Sequence, residues 1–187
     1  PSAQYEIYGG KRKIDKVRPM LELGQPLYSE GPLNHSYNVV GEKNLVSPQF
    51  YVYGDWRTAT AVNDNGNGST GVVATRLNLD VDLKLTGTER IHALFRPLEK
   101  NGAFTRYQFS GGQEEDRHRF HEELDTDPAT FFFEGDLGAI TAGIQDEYVS
   151  WDLPFAVGLI PLVYQNGIWM DDAFYGAAVT AISSRNS

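Results

Sequence analysis

Val73-Ala74-Thr75-Arg76-Leu77-Asn78-Leu79-Asp80-Val81-Asp82-Leu83-Lys84-Leu85 is the stretch that decides the fold. Its odd positions carry valine and leucine with one threonine, and its even positions carry Ala74, Arg76, Asn78, Asp80, Asp82 and Lys84. A period of two puts these sets on opposite faces of a β-strand. A helix would need apolar residues three and four apart, and would scatter these around its whole circumference.

Working outward, Ile91, Ala93 and Phe95 alternate with His92 and Arg96, with Leu94 breaking the pattern. Thr86 to Glu89 is either a hairpin turn or a bulge at Gly87 that lets the strand continue. Pro97 to Gly102 reads as a turn into Thr105, Tyr107 and Phe109, predicted to pair as a hairpin with Ile91 to Arg96. Upstream, Phe50, Val52, Gly54 and Trp56 alternate with Tyr51, Tyr53, Asp55 and Arg57, and the turn residues Asn63 to Gly68 join that strand to the central one. Phe131, Phe133, Leu137 and Ala139 on one side, with Glu134 and Asp136 on the other, predict a further strand. Gln4 to Tyr8, Val17 to Leu23, His35 to Val40 and Ala173 to Ile182 are weaker strands, the last open to a helical alternative. Gly111 to Pro128 is read as a solvated charged loop, and Pro154 to Val163, punctuated by Pro154, Gly158 and Pro161, as a packed irregular loop.

Residues 1–187 hold no internal repeat beyond hairpins and no linker, so one β-rich domain is expected, itself open to being part of a larger barrel. The formal net charge of -9 argues against a nucleic-acid binder, because phosphate affinity needs clustered Lys and Arg. The local basic group Lys11, Arg12, Lys13, Lys16 and Arg18 is read as a solvated turn and strand start. With no cysteine, disulfides, thiolate nucleophiles and cysteine metal sites drop out. No run approaches the roughly 18 apolar residues of a membrane-spanning helix. The start at Pro1, without a leader, suggests a processed or partial chain.

Two all-β architectures show such strands. In a soluble β-sandwich the apolar face is the core; in an antiparallel transmembrane β-barrel it meets lipid and the polar face lines the lumen. Val73 to Leu85 outruns the roughly five to six residues usual for soluble strands and meets the roughly nine to eleven that cross a bilayer, which favours the barrel. Its lumen-lining residues would be Arg76, Asp80, Asp82, Lys84, His92, Arg96 and Arg106. Aromatics near strand ends (Phe50, Tyr51, Tyr53 and Trp56; Tyr107 and Phe109; Phe131, Phe132 and Phe133) fit interfacial girdles or an ordinary core. In the sandwich alternative, a secreted module binding carbohydrate or protein, Tyr51, Tyr53 and Trp56 would be the contact surface.

Leu77 to Leu85 followed by Thr88-Glu89-Arg90-Ile91-His92-Ala93-Leu94-Phe95-Arg96-Pro97-Leu98, together with Gly158-Leu159-Ile160-Pro161-Leu162-Val163-Tyr164-Gln165-Asn166-Gly167-Ile168-Trp169, resembles bacterial outer-membrane porin-like barrel proteins, the group that includes alginate-export-type porins. The resemblance implies a channel in the cell outer membrane for passive diffusion of small hydrophilic solutes. Its partners would be those solutes and outer-membrane lipid, with homo-oligomerisation left open and no nucleic acid. Such barrels usually end in a strand with a terminal aromatic, whereas this chain stops at Ile182-Ser183-Ser184-Arg185-Asn186-Ser187, so the N-terminal part of a larger barrel is expected. Tyr164, Gln165, Asn166 and Trp169 are candidates for a loop that narrows the lumen.

Candidate chemistry elsewhere is thin. His118 and His121 with Glu114, Glu115, Asp116, Glu122 and Glu123 have metal-ligand residue types without diagnostic spacing, and Asp64, Asn65 and Asn67 lack the rest of a calcium loop. Glu134 with Asp136, or Asp171 with Asp172, are adjacent carboxylates that nothing marks as an acid and base pair. No nucleophile elbow or phosphate-cradling glycine loop occurs. No cofactor, no metal and no enzymatic activity are expected.

Overall fold

The structure is a computed structural model that describes residues 18–25, 27, 35–64, 66, 68–111, 117–164, 166–168 and 170–181. It is mostly antiparallel sheet, with one short helix among the described residues. In chain order the elements are β1 (Leu21–Leu23), β2 (Gln49–Asp64), β3 (Ser69–Lys84), β4 (Arg90–Phe95), β5 (Glu99–Lys100), β6 (Ala103–Ser110), β7 (Arg119–His121), β8 (Pro128–Asp136), α1 (Leu137–Gln145), β9 (Pro154–Tyr164) and β10 (Met170–Val179).

The central hairpin follows from the alternation. β2 and β3 pair along their whole length, from Gln49 opposite Lys84 to Asp64 opposite Ser69. At about 3.3 Å per residue, each of these 16-residue strands runs ~50 Å. At the turn, Gly66 takes φ 80 and its N–H donates to Asp64 Oδ1 at 2.9 Å. Leu85 to Glu89 then closes a true hairpin into β4: the Leu85 and Thr86 N–H groups donate to Glu89 O at 2.9 and 3.3 Å.

β6 does not pair with β4 as predicted. Both lie in line on the same edge of β3, β4 opposite Leu79–Lys84 and β6 opposite Gly71–Thr75. Between them the chain leaves the sheet in the tight β5–β6 hairpin, where Asn101 (φ 51) and Gly102 (φ 78) make the turn. β4 cannot also take β6, because β8 occupies its second edge. The next column repeats the arrangement, with β8 on β4 and β7 on β6. The sheet is thus an up-and-down meander of six spans (β2, β3, β4 with β6, β7 with β8, β9, β10), with β1 added outside β2.

Two further expectations are corrected. Pro154 to Val163 is not an irregular loop but β9, paired with β8 on one side and along all of β10 on the other. Pro161 is tolerated because β9 has already passed Leu159, its last partner position with β8, so one edge asks for no donor there. The strand predicted through Ala139 ends at Asp136, which caps α1 by accepting the Ala139 N–H at 3.0 Å. Gly138 and Gly143 in α1 are close-approach positions. A Cβ on Gly138 would strike Trp151 O, and one on Gly143 would sit 3.0 Å from Val40 O. Ala173 onward is strand rather than helix, within β10. The Gly111 to Pro128 loop contains β7, and His35 to Val40 contributes only a bridge, Tyr37 to Val46. Gln4 to Tyr8 and the basic group up to Lys16 lie outside the described residues.

Among the described residues no second sheet faces the first; only α1 packs against it, beside β8 and β9. Among the described residues the sheet does not close into a barrel. Burial is correspondingly shallow. Among the described residues Tyr51, Ala93 and Ile160 are the buried hydrophobic ones, and no large side chain is completely enclosed.

Candidate functional site: the polar face of the sheet

Because paired residues in adjacent strands share a face, the register sorts the sheet from β1 to β8 into two unlike surfaces. On β9 and β10, by contrast, the continuation of the charged face is mostly apolar, with Ala156, Ile160 and Leu162 beside Ala178, Phe174 and Asp172. One row across the strands reads Glu22, Tyr51, Asp82, His92, Phe132, Gly158, and the next Gln49, Lys84, Arg90, Glu134. Beyond them come Tyr53 with Asp80, Asp55 with Asn78, Arg57 with Arg76, and Ala74 with Arg106 and His121. The opposite face reads Leu21, Val52, Val81, Ala93, Phe131, Leu159, Tyr175 in one row and Leu23, Phe50, Leu83, Ile91, Phe133, Val157, Ala177 in the next.

Six of the seven predicted lining residues, Arg76, Asp80, Asp82, Lys84, His92 and Arg106, therefore share one surface. Arg96 does not join them in a strand. It begins the excursion after β4, where its Nε is buried without a hydrogen-bond partner, beside Glu99, Asp125 and Asp127.

The polar face is knitted by ion pairs. Arg90 bonds both Glu134 and Asp82, the latter at 3.4 Å, and so bridges β3, β4 and β8. His92 Nε2 stands 3.6 Å from Asp80. Arg76 Nε reaches Glu99 at 3.2 Å and Asn78 at 3.1 Å, Asn78 donates to Asp55 at 3.0 Å, and Asp55 holds Arg57 at 2.6 Å. Arg90, Glu99, Asp55 and Arg57 complete the network but were not among the predicted lining residues. Their parity is legible for Asp55, Arg57 and Glu134; Glu99 falls in the predicted turn Pro97 to Gly102, and Arg90 between the predicted turn Thr86 to Glu89 and the strand from Ile91.

Where β2, β3, β4 and β8 meet, this face is hollowed into a cleft of ≈ 390 Å³ walled by Gln49, Tyr51, Tyr53, Asp82, Lys84, Arg90 and Glu134. Tyr51 is 4 % exposed and donates from its hydroxyl to Gln25 O at 2.7 Å. Tyr51 and Tyr53 thus lie on the polar face and Trp56 on the other. They form neither one interfacial girdle nor the single contact surface expected of a sandwich. Phe132 is likewise on the polar face, its ring 5.3 Å from that of His92.

At the end of the cleft, buried Glu89 ties three segments together. Its carboxylate accepts from the Thr86 hydroxyl, from the Thr88 hydroxyl at 2.7 Å, from Asn44 Nδ2 at 2.8 Å and from the Asp136 N–H at 3.4 Å. Burial pushes its pKa up, but these hydrogen bonds outweigh that and hold it below the ordinary carboxylate value.

The other candidates have structural work. Glu134 is bound by Arg90 and Asp136 caps α1, while Asp171 and Asp172, as strand neighbours, point to opposite faces. Among the described residues no three His, Asp or Glu side chains are placed to hold a metal; Glu114, Glu115 and Asp116 lie outside them. Tyr164 is the last residue of β9 and Asn166 (φ 56) lies in the β9–β10 turn, with Gln165 and Trp169 outside the described residues. Asn65 and Asn67 are also outside them. No family model matches the chain, and neither curated proteins nor solved structures give a match.

Proposed function

We propose that this chain forms part of the wall of an outer-membrane β-barrel, with its apolar face against lipid and its polar face lining an aqueous path for small hydrophilic solutes. The observation that carries this is the row of large apolar side chains left exposed on the face that backs the charged one. On the apolar face Trp56 is 74 % exposed, Phe131 51 %, Val163 59 %, Tyr175 86 % and Val179 61 %. The polar face is sheltered only locally, Asp82 and Glu134 being 17 % and 29 % exposed while Asp80, Arg90 and Arg57 are 44 %, 48 % and 72 % exposed.

Leaving those five apolar side chains in water forgoes on the order of 5 to 10 kcal/mol. That is comparable with the net stability of a typical domain, about 5 to 15 kcal/mol. Such a face is normally covered, and a lipid phase covers it without a second protein layer. The meander supports the same reading, since up-and-down antiparallel spans long enough to cross a bilayer are how barrels are built. The carboxylates and arginines, held in mutual ion pairs, are suited to setting a local field for passing solutes rather than to covalent chemistry.

Reconstitution tests it. The full chain should require detergent or lipid to stay dispersed, float with liposomes, and raise their permeability to small sugars or ions. A chain that remains monomeric and soluble without detergent is not a barrel wall.

A further inference from the structure

We infer that the lipid layer ends at the height of Trp56, and that the far half of the β2–β3 hairpin, with β6 and β7 beside it, stands outside the membrane as a hydrated extension of the wall. This rests on the barrel assignment above. The register fixes the relative height of the strands, taken from the row Tyr51, Asp82, His92, Phe132, Gly158 and Gly176. Toward the β2–β3 turn, β4 ends at Phe95, three residues above that row, and the chain leaves the sheet through Arg96, Pro97 and Glu99. β8 enters at Pro128, opposite Phe95, after Asp125 and Asp127. β9 and β10 end at Tyr164 opposite Met170, six residues above the row, and turn through Asn166 and Gly167 at positive φ. Three connections thus leave the sheet at nearly one height. Turn backbone finds no hydrogen-bond partners in hydrocarbon, so this height bounds the lipid. Of the strands in the row, only β2 and β3 run on among the described residues, to Asp64 opposite Ser69.

The thickness agrees. At the other end of the sheet Asp136 pairs with Pro154 four residues below the row, level with Thr86 in the β3–β4 turn. From there to Tyr164 is ten residues, about 33 Å along a strand. At a barrel tilt of roughly 40° that spans about 25 Å, the height of the apolar band of an outer-membrane barrel.

The apolar face changes composition at the same height. Within the strands below it, this face carries no charged side chain until Asp171, next to the β9–β10 turn. On β2 and β3, Trp56 opposite Leu77 is followed by Thr58 opposite Thr75, with Thr105 of β6 beside Thr75. The Thr58 and Thr75 hydroxyls lie 3.3 Å apart, and the Trp56 indole N–H donates to Thr75. An indole with its ring toward apolar surroundings and its N–H toward polar ones suits the membrane–water interface. On the polar face, Asp80, Asp82, Lys84 and His92 then lie within the membrane height, Arg76 at its edge, and Arg106 with His121 beyond it in the mouth.

The chain has no cysteine, so single spin labels can be placed on this face. Phe131→Cys and Val157→Cys probe the height below Trp56, and Thr60→Cys and Phe120→Cys the height above it. Each full chain is labelled with a nitroxide and refolded into liposomes. Its collisions with oxygen, which concentrates in lipid, are compared with those of a water-confined nickel chelate. The oxygen-to-nickel ratio should be several-fold higher at 131 and 157 than at 60 and 120. Equal ratios at all four positions, in a chain that floats with the liposomes, overturn the boundary and leave the barrel standing. A chain that does not float, or one that floats with 131 and 157 open to nickel, overturns the barrel assignment and the boundary with it. The unlabelled chain gives a second reading free of those substitutions. The fluorescence that Trp56→Phe removes should be quenched more by bromines high on the acyl chains than by bromines near their ends, and the reverse order places Trp56 deep in the bilayer and overturns the boundary.

Discussion

A carboxylate taken out of water persists only where donors replace the lost solvent, and Glu89 meets four of them at the junction of the Asn44 loop, the β3–β4 turn and the start of α1. Glu89→Ala should cost about 2 to 3 kcal/mol in chemical unfolding, since it also leaves Asn44 without its buried partner. The pH dependence has a definite sign. The folded pKa lies below the ordinary 4.5, so in that range the unfolded chain binds more protons. The stabilisation is therefore complete above 4.5 and is lost as pH falls through the lowered value. Unfolding titrations of the native chain should weaken over that acid window, and those of Glu89→Gln should be flatter. Equal acid sensitivity in both would remove Glu89 from the account. Gly158 is a second position where one atom matters: at φ 135, with Phe131 O against the site of a Cβ, Gly158→Ala should destabilise the β8–β9 pair by about 1 to 3 kcal/mol.

Among the elements, α1 depends most on a single side chain. It is short, contains Gly138 and Gly143, and is capped by Asp136 at one end and by left-handed Asp146 (φ 55) at the other. Asp136→Ala should cost about 1 kcal/mol, and hydrogen exchange should quicken first in the Leu137–Gln145 amides. Nothing in the helix announces itself by period, because Gly138 and Gly143 serve contacts with the backbone of Trp151 and Val40, segments remote in sequence. The same dependence on remote partners hid β9, whose prolines look like breakers until its neighbours are known. It also hid the in-line placement of β4 and β6, since either could satisfy β3 by face pattern. By contrast β2, β3, β4 and β8 as far as Asp136 were legible, and with them most of the charged surface.

For the whole molecule, the two faces make opposite predictions for the same kind of change. Val157→Lys, on the apolar face, should impair insertion into liposomes, by about 2 to 4 kcal/mol if the site lies near the bilayer centre. A neutralising change on the polar face, Lys84→Gln, should leave insertion intact and shift the cation-to-anion permeability ratio toward cations. If both variants insert equally well, the apolar face is not in contact with lipid. Trp56 gives a direct readout, because its indole is exposed on the apolar face. Brominated acyl chains should quench more of the fluorescence of the native chain than of Trp56→Phe.

By itself the sequence determined that β2, β3, β4 and β8 are strands with one mostly apolar and one mostly charged face, because side chains alternate across a strand whatever lies beside it. Six of seven predicted lining positions fell on one surface for that reason alone. Tertiary structure decided which strands are neighbours, that Arg90 joins Asp82 to Glu134, and that α1 follows Asp136. Those outcomes depend on pairing and close approach between residues far apart in the chain, which no local period encodes.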